Sequence, residues 1–265
     1  MFRAKQYLLA QSLEEAYAAN QKRTATVMGG MCWLKMSSRQ IQTLIDLSAL
    51  GLDTITRTEE GFSIGAMVTL RQLETNAEFN AAFQNAFADA VRPIVGVQFR
   101  NCATVGGSVW GRFGFSDVIA VLLALNAKVE LYPSGVVALE EFLQMPYDNQ
   151  ILVRILVPFA AKKAAVQSHR NTATDFPVIV AAAAELADGS LRLVVGARPQ
   201  KAALANTTLT AHSSAEEIEQ QLSAAVDQLA FSSNMRASAE YRRHLAKVLL
   251  KRAIAQLKEE TANAD

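Results

Sequence analysis

The chain predicts an α+β protein in two parts, and three observations carry that prediction. Up to about residue 158, short β-forming runs alternate with helical ones. Near Ala160–Ala165 the texture changes to a polar-alanine stretch holding Lys162 and Lys163, which reads as a boundary. Beyond it, two strands flank Asp188-Gly189, a strong hairpin signal, and two helices follow.

The elements follow in order. Ser12-Leu13-Glu14-Glu15 is a capping box that opens a helix reaching Asn20. Thr24–Met28 reads as a strand that runs into Gly29-Gly30, and Thr43–Leu47 as another short strand. Glu59-Glu60-Gly61 is a turn before a strand over Phe62–Val68, and Thr69-Leu70-Arg71-Gln72 caps the next helix. Phe79, Phe83 and Phe87 recur at i, i+4, i+8. They predict one amphipathic helix over Ala77–Val91, with its Phe stripe in the core and Pro93 ending it. Thr104 and Val105 read as strand residues before Gly106-Gly107, and Val118–Asn126 as a helix. Lys128–Tyr132 and Val136–Leu139 form a hairpin about Pro133-Ser134-Gly135, and Ile151–Val157 is a further strand. In the second part the strands are Val178–Leu186 and Leu191–Gly196. The helices there are Ala215–Leu229, with Ser213 and Glu216 as a capping box, and Ala237–Leu257, with a frayed tail after Lys258. No internal repeat is present.

The bulk numbers exclude several classes. Hydrophobic residues make up 51% of 265, enough for a sizeable core. A net charge of +1 gives no electrostatic case for a nucleic-acid partner or a membrane surface. Arg3 and Lys5 precede an apolar run too short for a signal peptide, and Arg154 interrupts the late apolar stretch Ile151–Phe159, so no membrane insertion is expected. Two cysteines, Cys32 and Cys102, suit a reduced, cytoplasmic protein. They are too few for an iron–sulfur cluster, and His169, His212 and His244 lack metal spacing.

The chemistry concentrates at two glycine pairs, Met28-Gly29-Gly30-Met31 and Ala103-Thr104-Val105-Gly106-Gly107-Ser108. A glycine pair after a strand turns sharply and bares N–H groups that an anion can approach. Either pair alone is equally a plain turn. Two together suggest a diphosphate held from both sides, and so a dinucleotide. The first pair has no following Lys-Ser/Thr and no third glycine, so it is neither an NTPase phosphate loop nor a Rossmann fingerprint. Arg100 suits a phosphate or a surface ion pair. Ser116-Asp117 opens a helix, with Ser116 as its cap; Asp117 serves the first turn or accepts from a cofactor hydroxyl. Trp110-Gly111-Arg112-Phe113-Gly114-Phe115 offers a flat surface for a ring system. Cys32, if it sits among bared N–H groups, has a lowered thiol pKa; the alternative is a core thiol. Cys102 reads as a sluggish thiol in a strand.

These residues carry a resemblance. Arg100-Asn101-Cys102-Ala103-Thr104-Val105-Gly106-Gly107 with Ser116-Asp117 resembles the "RN-x-ATIGG…SD" motif of the FAD-binding subunits of molybdenum hydroxylases, the xanthine dehydrogenase and aerobic carbon monoxide dehydrogenase type. The first glycine pair is similar to that family's "AGGTDL" loop. Ile64-Gly65-Ala66 with Thr69-Leu70, Leu152–Pro158, Asp175-Phe176-Pro177, Val194-Val195-Gly196-Ala197 and Tyr241-Arg242 resemble further landmarks, in order along the chain. The resemblance implies a two-part FAD-binding domain of the vanillyl-alcohol oxidase (PCMH) type over residues 1–162, with subdomains of about 1–53 and 54–162. A small C-terminal α+β domain of the CO dehydrogenase flavoprotein type would cover 163–265. It implies a non-covalent FAD with its pyrophosphate between the two loops. Implied contacts are Val27, Met28, Gly29, Gly30, Met31, Cys32, Trp33, Thr69, Asn101, Ala103, Thr104, Val105, Gly106, Gly107, Ser108, Ser116, Asp117 and Leu152, with no catalytic residue and no metal on this chain. The implied partners are a [2Fe–2S] subunit and a large molybdenum-cofactor subunit, with NAD or another acceptor taking electrons from the flavin. The chain departs from the pattern at Met31-Cys32, which lack the usual hydroxyl, at Ser108, where Asn is common, and at Val166–Arg170, where a lysine is usual. Two other readings share this fold: a stand-alone flavin oxidoreductase, and a scaffold subunit that has lost FAD.

Overall fold

A computed structural model describes residues 2–262. The chain opens with β1 (Arg3–Leu9), α1 (Leu13–Asn20), β2 (Ala25–Met28) and β3 (Gln40–Asp46). These strands form a parallel sheet in the order β1-β3-β2, backed by α1. Ser12 caps α1 by accepting from the Glu15 N–H at 3.1 Å, and Glu15 accepts in return from the Gln11 N–H. β1 has no counterpart in the sequence reading: it is an edge strand whose residues are almost all exposed, so Arg3–Leu9 shows no apolar alternation.

Next come β4 (Ile55–Arg57), β5 (Gly61–Gly65), α2 (Leu70–Thr75), α3 (Ala77–Ala82), α4 (Ala86–Val91), α5 (Val97–Cys102), α6 (Val105–Trp110), α7 (Asp117–Ala124), β6 (Lys128–Tyr132), β7 (Gly135–Ala138), α8 (Leu139–Gln144) and β8 (Ile151–Pro158). The strands form an antiparallel sheet in the order β4-β5-β8-β6-β7, with β6 and β7 as the expected hairpin. The Phe stripe is core, as its spacing predicts: Phe79, Phe83 and Phe87 are fully buried and pack ring to ring with one another, and Phe62 joins Phe79 and Phe83. The single helix expected over Ala77–Val91 is instead two. Gln84 and Asn85 adopt left-handed φ of 52° and 61° between them. Buried Asn80 welds the break, donating to the carbonyls of Leu73 and Asn76 and accepting from the Ala88 N–H. The break resets the helical phase while all three rings still reach one core.

The remainder comprises β9 (Ala161–His169), β10 (Ile179–Leu186), β11 (Leu191–Gly196), β12 (Ala203–Ala205), α9 (Ala215–Asp227) and α10 (Ala239–Ala262). Its sheet is antiparallel, in the order β12-β11-β10-β9. The polar-alanine stretch is therefore the long strand β9. The cap of α9 is Ser214 with Glu217, one residue beyond the expected Ser213 and Glu216. α10 runs on past Lys258, where a frayed tail was expected; residues 263–265 lie outside the described residues.

β10 decides how the two parts join. Its alternating residues point to opposite faces. Val180, Ala182 and Ala184 share a core with buried α7, whereas Ile179, Ala181 and Ala183 share a second core with α9 and α10. Alanine on both faces lets α7 and α10 approach the strand from either side. Within the second part, Arg242, 1% exposed, ties α10 to the ends of β10 and β11 and to the preceding loop by donating to the carbonyls of Val178 and Ala197 and to Asn234 Oδ1.

Candidate functional site

The first glycine segment leaves the sheet at the end of β2. Gly30 is obligatory there: a Cβ on it would lie 1.8 Å from the Cys102 carbonyl oxygen. Met31 follows at φ 59°, in the left-handed region. The backbone N–H groups of Gly29, Gly30, Met31, Cys32 and Trp33 donate to no acceptor among the described residues. Five consecutive free donors on one segment are available to an anion.

The second segment departs from expectation. Thr104 and Val105 are not strand: Thr104 caps α6, and Gly106-Gly107 lie inside that helix. Its N–H groups are spent within the protein. Those of Val105 and Gly106 donate to the carbonyls of Val68 and Ala66, that of Gly107 to Thr104 Oγ1, and that of Ser108 to the Thr104 carbonyl. Gly106 is small for packing, since a Cβ there would sit 2.5 Å from the Ala66 oxygen. Gly107 differs: a Cβ on it would meet only Thr104 Oγ1, at 3.0 Å. The two segments also touch directly, with a Cβ built on Gly29 3.8 Å from Gly107 Cα. Gly29 and Gly107 thus pack against one another, and both line the same cleft along their shared edge.

That edge lines a cleft of about 740 Å³, within the usual range of roughly 300–1,000 Å³ for small-molecule sites. Twelve of the sequence-selected residues line it: Val27, Gly29, Gly30, Met31, Cys32, Trp33, Ala103, Thr104, Gly107, Ser108, Ser116 and Asp117. Met28, Gly106 and Leu152 line a smaller adjoining cavity that shares Gly29, Thr104 and Gly107. Thr69, Asn101 and Val105 line neither. Thr69 instead caps α2 in a box with Gln72, Asn101 is exposed on α5, and Val105 is buried. Arg100 is not available to a phosphate. It is 4% exposed, makes a two-pronged ion pair with Glu74 at 2.8 and 3.1 Å, and donates to the Ile94 carbonyl.

Several lining residues have no counterpart in the sequence reading. Leu70, Ile94, Val95 and Phe99 make one apolar part of the cleft. Arg39 also lines it, and its guanidinium has no ion-pair partner among the described residues. Elsewhere Trp33, Phe113, Phe115 and Phe176 form an aromatic cluster: Trp33 stacks on Phe176 at 5.9 Å and 16°, and Phe113 on Phe115 at 5.1 Å and 9°. Of the Trp110–Phe115 segment only Phe113 and Phe115 join this cluster, whose two stacked pairs are tilted by 45–53° to one another; Trp110 packs on Phe142 instead. Beside it, Arg170 donates through Nη2 to Asp117 Oδ2 at 2.7 Å and through Nε to the Asp175 carbonyl. Arg170 stands at the end of β9, the stretch in which no basic cleft residue could be assigned from sequence.

The electrostatics follow from burial. Burial pushes the Asp117 carboxyl up to about 6, with the Arg170 guanidinium opposing the shift. Asp117 is therefore an ion-paired residue as well as a helix-opening one, and Ser116 caps α7 by accepting from the Ile119 N–H at 3.2 Å. The Cys32 thiol is raised by burial and by its neighbour Cys102, against the lowering expected from bared N–H groups. Cys102 is exposed at the end of α5 and is not a buried strand residue.

The donor set suits an FAD-type dinucleotide: free amides and Arg39 for a diphosphate, apolar and aromatic walls for two ring systems. Among the described residues no group of three or more His, Cys, Asp or Glu is placed to hold a metal ion, and no helix is long and apolar enough to cross a membrane.

Residues 2–160 match the family described as FAD binding domain in molybdopterin dehydrogenase, and residues 164–257 match the CO dehydrogenase flavoprotein C-terminal domain. In tandem they define the class, an oxidoreductase flavoprotein subunit of α+β fold. The chain belongs to the FAD-binding (medium) subunits of the molybdenum hydroxylase family. It is 25% identical over 206 residues to the uncharacterized protein YgfM of Escherichia coli K12, covering 78% of this chain and 76% of that one. It is 28% identical over 131 residues to the glyceraldehyde dehydrogenase medium chain of Sulfolobus acidocaldarius, covering 47% and 46%. Its fold superposes on a chain of reconstituted CO dehydrogenase from Oligotropha carboxidovorans with a TM-score of 0.84, at 23% identity and 98% coverage of both.

Proposed function

We propose that the chain holds one FAD non-covalently in the cleft and carries electrons from a [2Fe–2S] partner subunit, fed by a molybdenum-cofactor subunit, to NAD or another acceptor in the cytoplasm. The carrying observation is the run of five unsatisfied N–H groups, Gly29 to Trp33, beside Gly107. They face the diphosphate without the Lys-rich loop that a point-charge site would need. Arg39 adds the one charge that the amides lack. The aromatic cluster would hold one ring system of the cofactor, and Leu70, Ile94 and Phe99 would hold the other. When bound, the flavin supplies the redox chemistry; the chain binds and orients it. Thr69 pairs with Thr104 at the start of the second segment. We divide the chain at 162/163, within the first residues of β9.

The cleft favours a relay over a stand-alone oxidase. Its two lining carboxylates, Asp117 and Asp175, are both held by arginines, Arg170 and Arg236. No histidine lines it. A dehydrogenating enzyme needs a free base within reach of its substrate. The test is purification of the native complex. Co-purification with an iron–sulfur and a large molybdenum subunit, and no rapid flavin reduction of the isolated chain by small alcohols or amines, is expected. Fast reduction of the isolated chain would establish the stand-alone enzyme instead.

A further inference from the structure

A relay of side chains runs from the loop before α10 into the cleft. Arg236 itself does not line the cleft. Its Nη2 donates to Asp175 Oδ1 at 3.1 Å and its Nε approaches Oδ2 at 3.4 Å. Its guanidinium carbon lies 5.0 Å from the centre of the Phe176 ring. Asp175 Oδ1 also accepts the Phe176 N–H at 2.7 Å, so fixing the carboxylate fixes the next residue. Phe176 in turn stacks on Trp33, on the first glycine segment, and meets Phe115 at 4.4 Å.

The base of this relay is rigid. The Arg236 N–H donates to Asn234 Oδ1, which also accepts from buried Arg242. The Arg236 carbonyl accepts from Asn171 Nδ2 at 3.1 Å. At the other end of the same loop, Arg170 holds the Asp175 carbonyl and reaches Asp117. Residues 170–177 are thus pinned from both sides, with Thr174 between the pins at φ 68°.

We propose that Arg236 is a positioning residue for the cofactor cleft: through Asp175 and Phe176 it sets the Trp33 ring, and so governs how fast the bound dinucleotide leaves. Release of the dinucleotide rests on the FAD reading above; placement of Trp33 does not. The ion pair is partly exposed and the ring contact is a cation–π pair, so their joint loss should speed dissociation about tenfold.

The test has two readouts in the full chain. Trp33 and Trp110 are the only tryptophans, so Trp110→Phe leaves Trp33 as the sole reporter. Trp33 is 46% exposed even with the stack intact; in that background, without cofactor, Arg236→Ala should raise its acrylamide quenching further, and Arg236→Lys should return it most of the way to the Trp110→Phe value. In the Trp110 background, FAD dissociation should quicken about tenfold in Arg236→Ala and far less in Arg236→Lys. If Arg236→Ala does not fold, Asp175→Asn breaks the same relay with little change in volume. Unchanged quenching and unchanged FAD release, in a variant merely less heat-stable, would make Arg236 purely structural. A wild-type chain that takes up no FAD would sink the cofactor reading, while the quenching arm would still decide the relay.

Discussion

Gly107→Ala should separate folding from cofactor binding. Gly107 is helical, not left-handed, and an added Cβ meets only Thr104 Oγ1, at 3.0 Å. The helix gains up to about 1 kcal/mol from replacing glycine, offset in part by the tight hydroxyl contact. The unfolding midpoint should hold or rise by up to roughly 2–4 °C. The new methyl projects at the shared edge of the two glycine segments. If it displaces the diphosphate by enough to lose one charge-assisted hydrogen bond, the cost is about 1.5–3 kcal/mol, or about 10- to 150-fold in Kd. Gly107→Val should cost more. Gly30→Ala is the contrast, because its Cβ lies 1.8 Å from the Cys102 oxygen and the backbone must shift. That variant should lose stability and FAD together. Circular dichroism melts and FAD titration by fluorescence quenching, on the same preparations, provide the assay. Folded Gly107→Val with unchanged FAD affinity would refute the placement of the cofactor.

Asp117→Asn should remove a pH dependence of stability. The folded carboxyl titrates near 6 against an ordinary 3.8, so the folded chain holds this proton more tightly than the unfolded one. Its contribution is full below about pH 4 and is lost as pH rises through 6, a change of about 3 kcal/mol. Melting midpoints of wild type should therefore fall relative to the neutral amide between pH 4 and 7; a constant difference would count against it. For the thiols, exposed Cys102 should be alkylated faster than half-buried Cys32, whose thiol is raised by burial. FAD should slow Cys32 alone, and mass-resolved labelling with and without FAD reports both rates.

Much of this fold is legible in the sequence because its signals are local. The Ser12 cap, the Thr69–Gln72 box, the β6–β7 hairpin and the buried Phe stripe each follow from a few neighbouring residues. The misses are of another kind. The edge strand β1 is nearly all exposed and carries no apolar alternation. The boundary stretch hides the start of β9, because alanines on both sheet faces, Ala164 in one core and Ala165 in the other, leave no apolar–polar alternation to read. The break at Gln84-Asn85 is invisible because the Phe spacing survives it. At the site, the first glycine segment keeps its amides free among the described residues, whereas the second spends its amides on Ala66, Val68 and Thr104, partners set by tertiary contact. Arg100, Arg170 and Phe176 follow the same rule: their roles come from residues 26, 53 and 61–143 positions away.

The central claim is that this cleft holds FAD. The most direct measurement is flavin release from the purified chain, or from its native complex, on denaturation. One FAD per chain, freed without proteolysis, or stoichiometric uptake when the colourless chain is reconstituted with FAD, is the predicted result. A correctly folded chain that carries no flavin and takes up none, alone or in its complex, would contradict it and leave the protein as a scaffold on a flavoprotein fold.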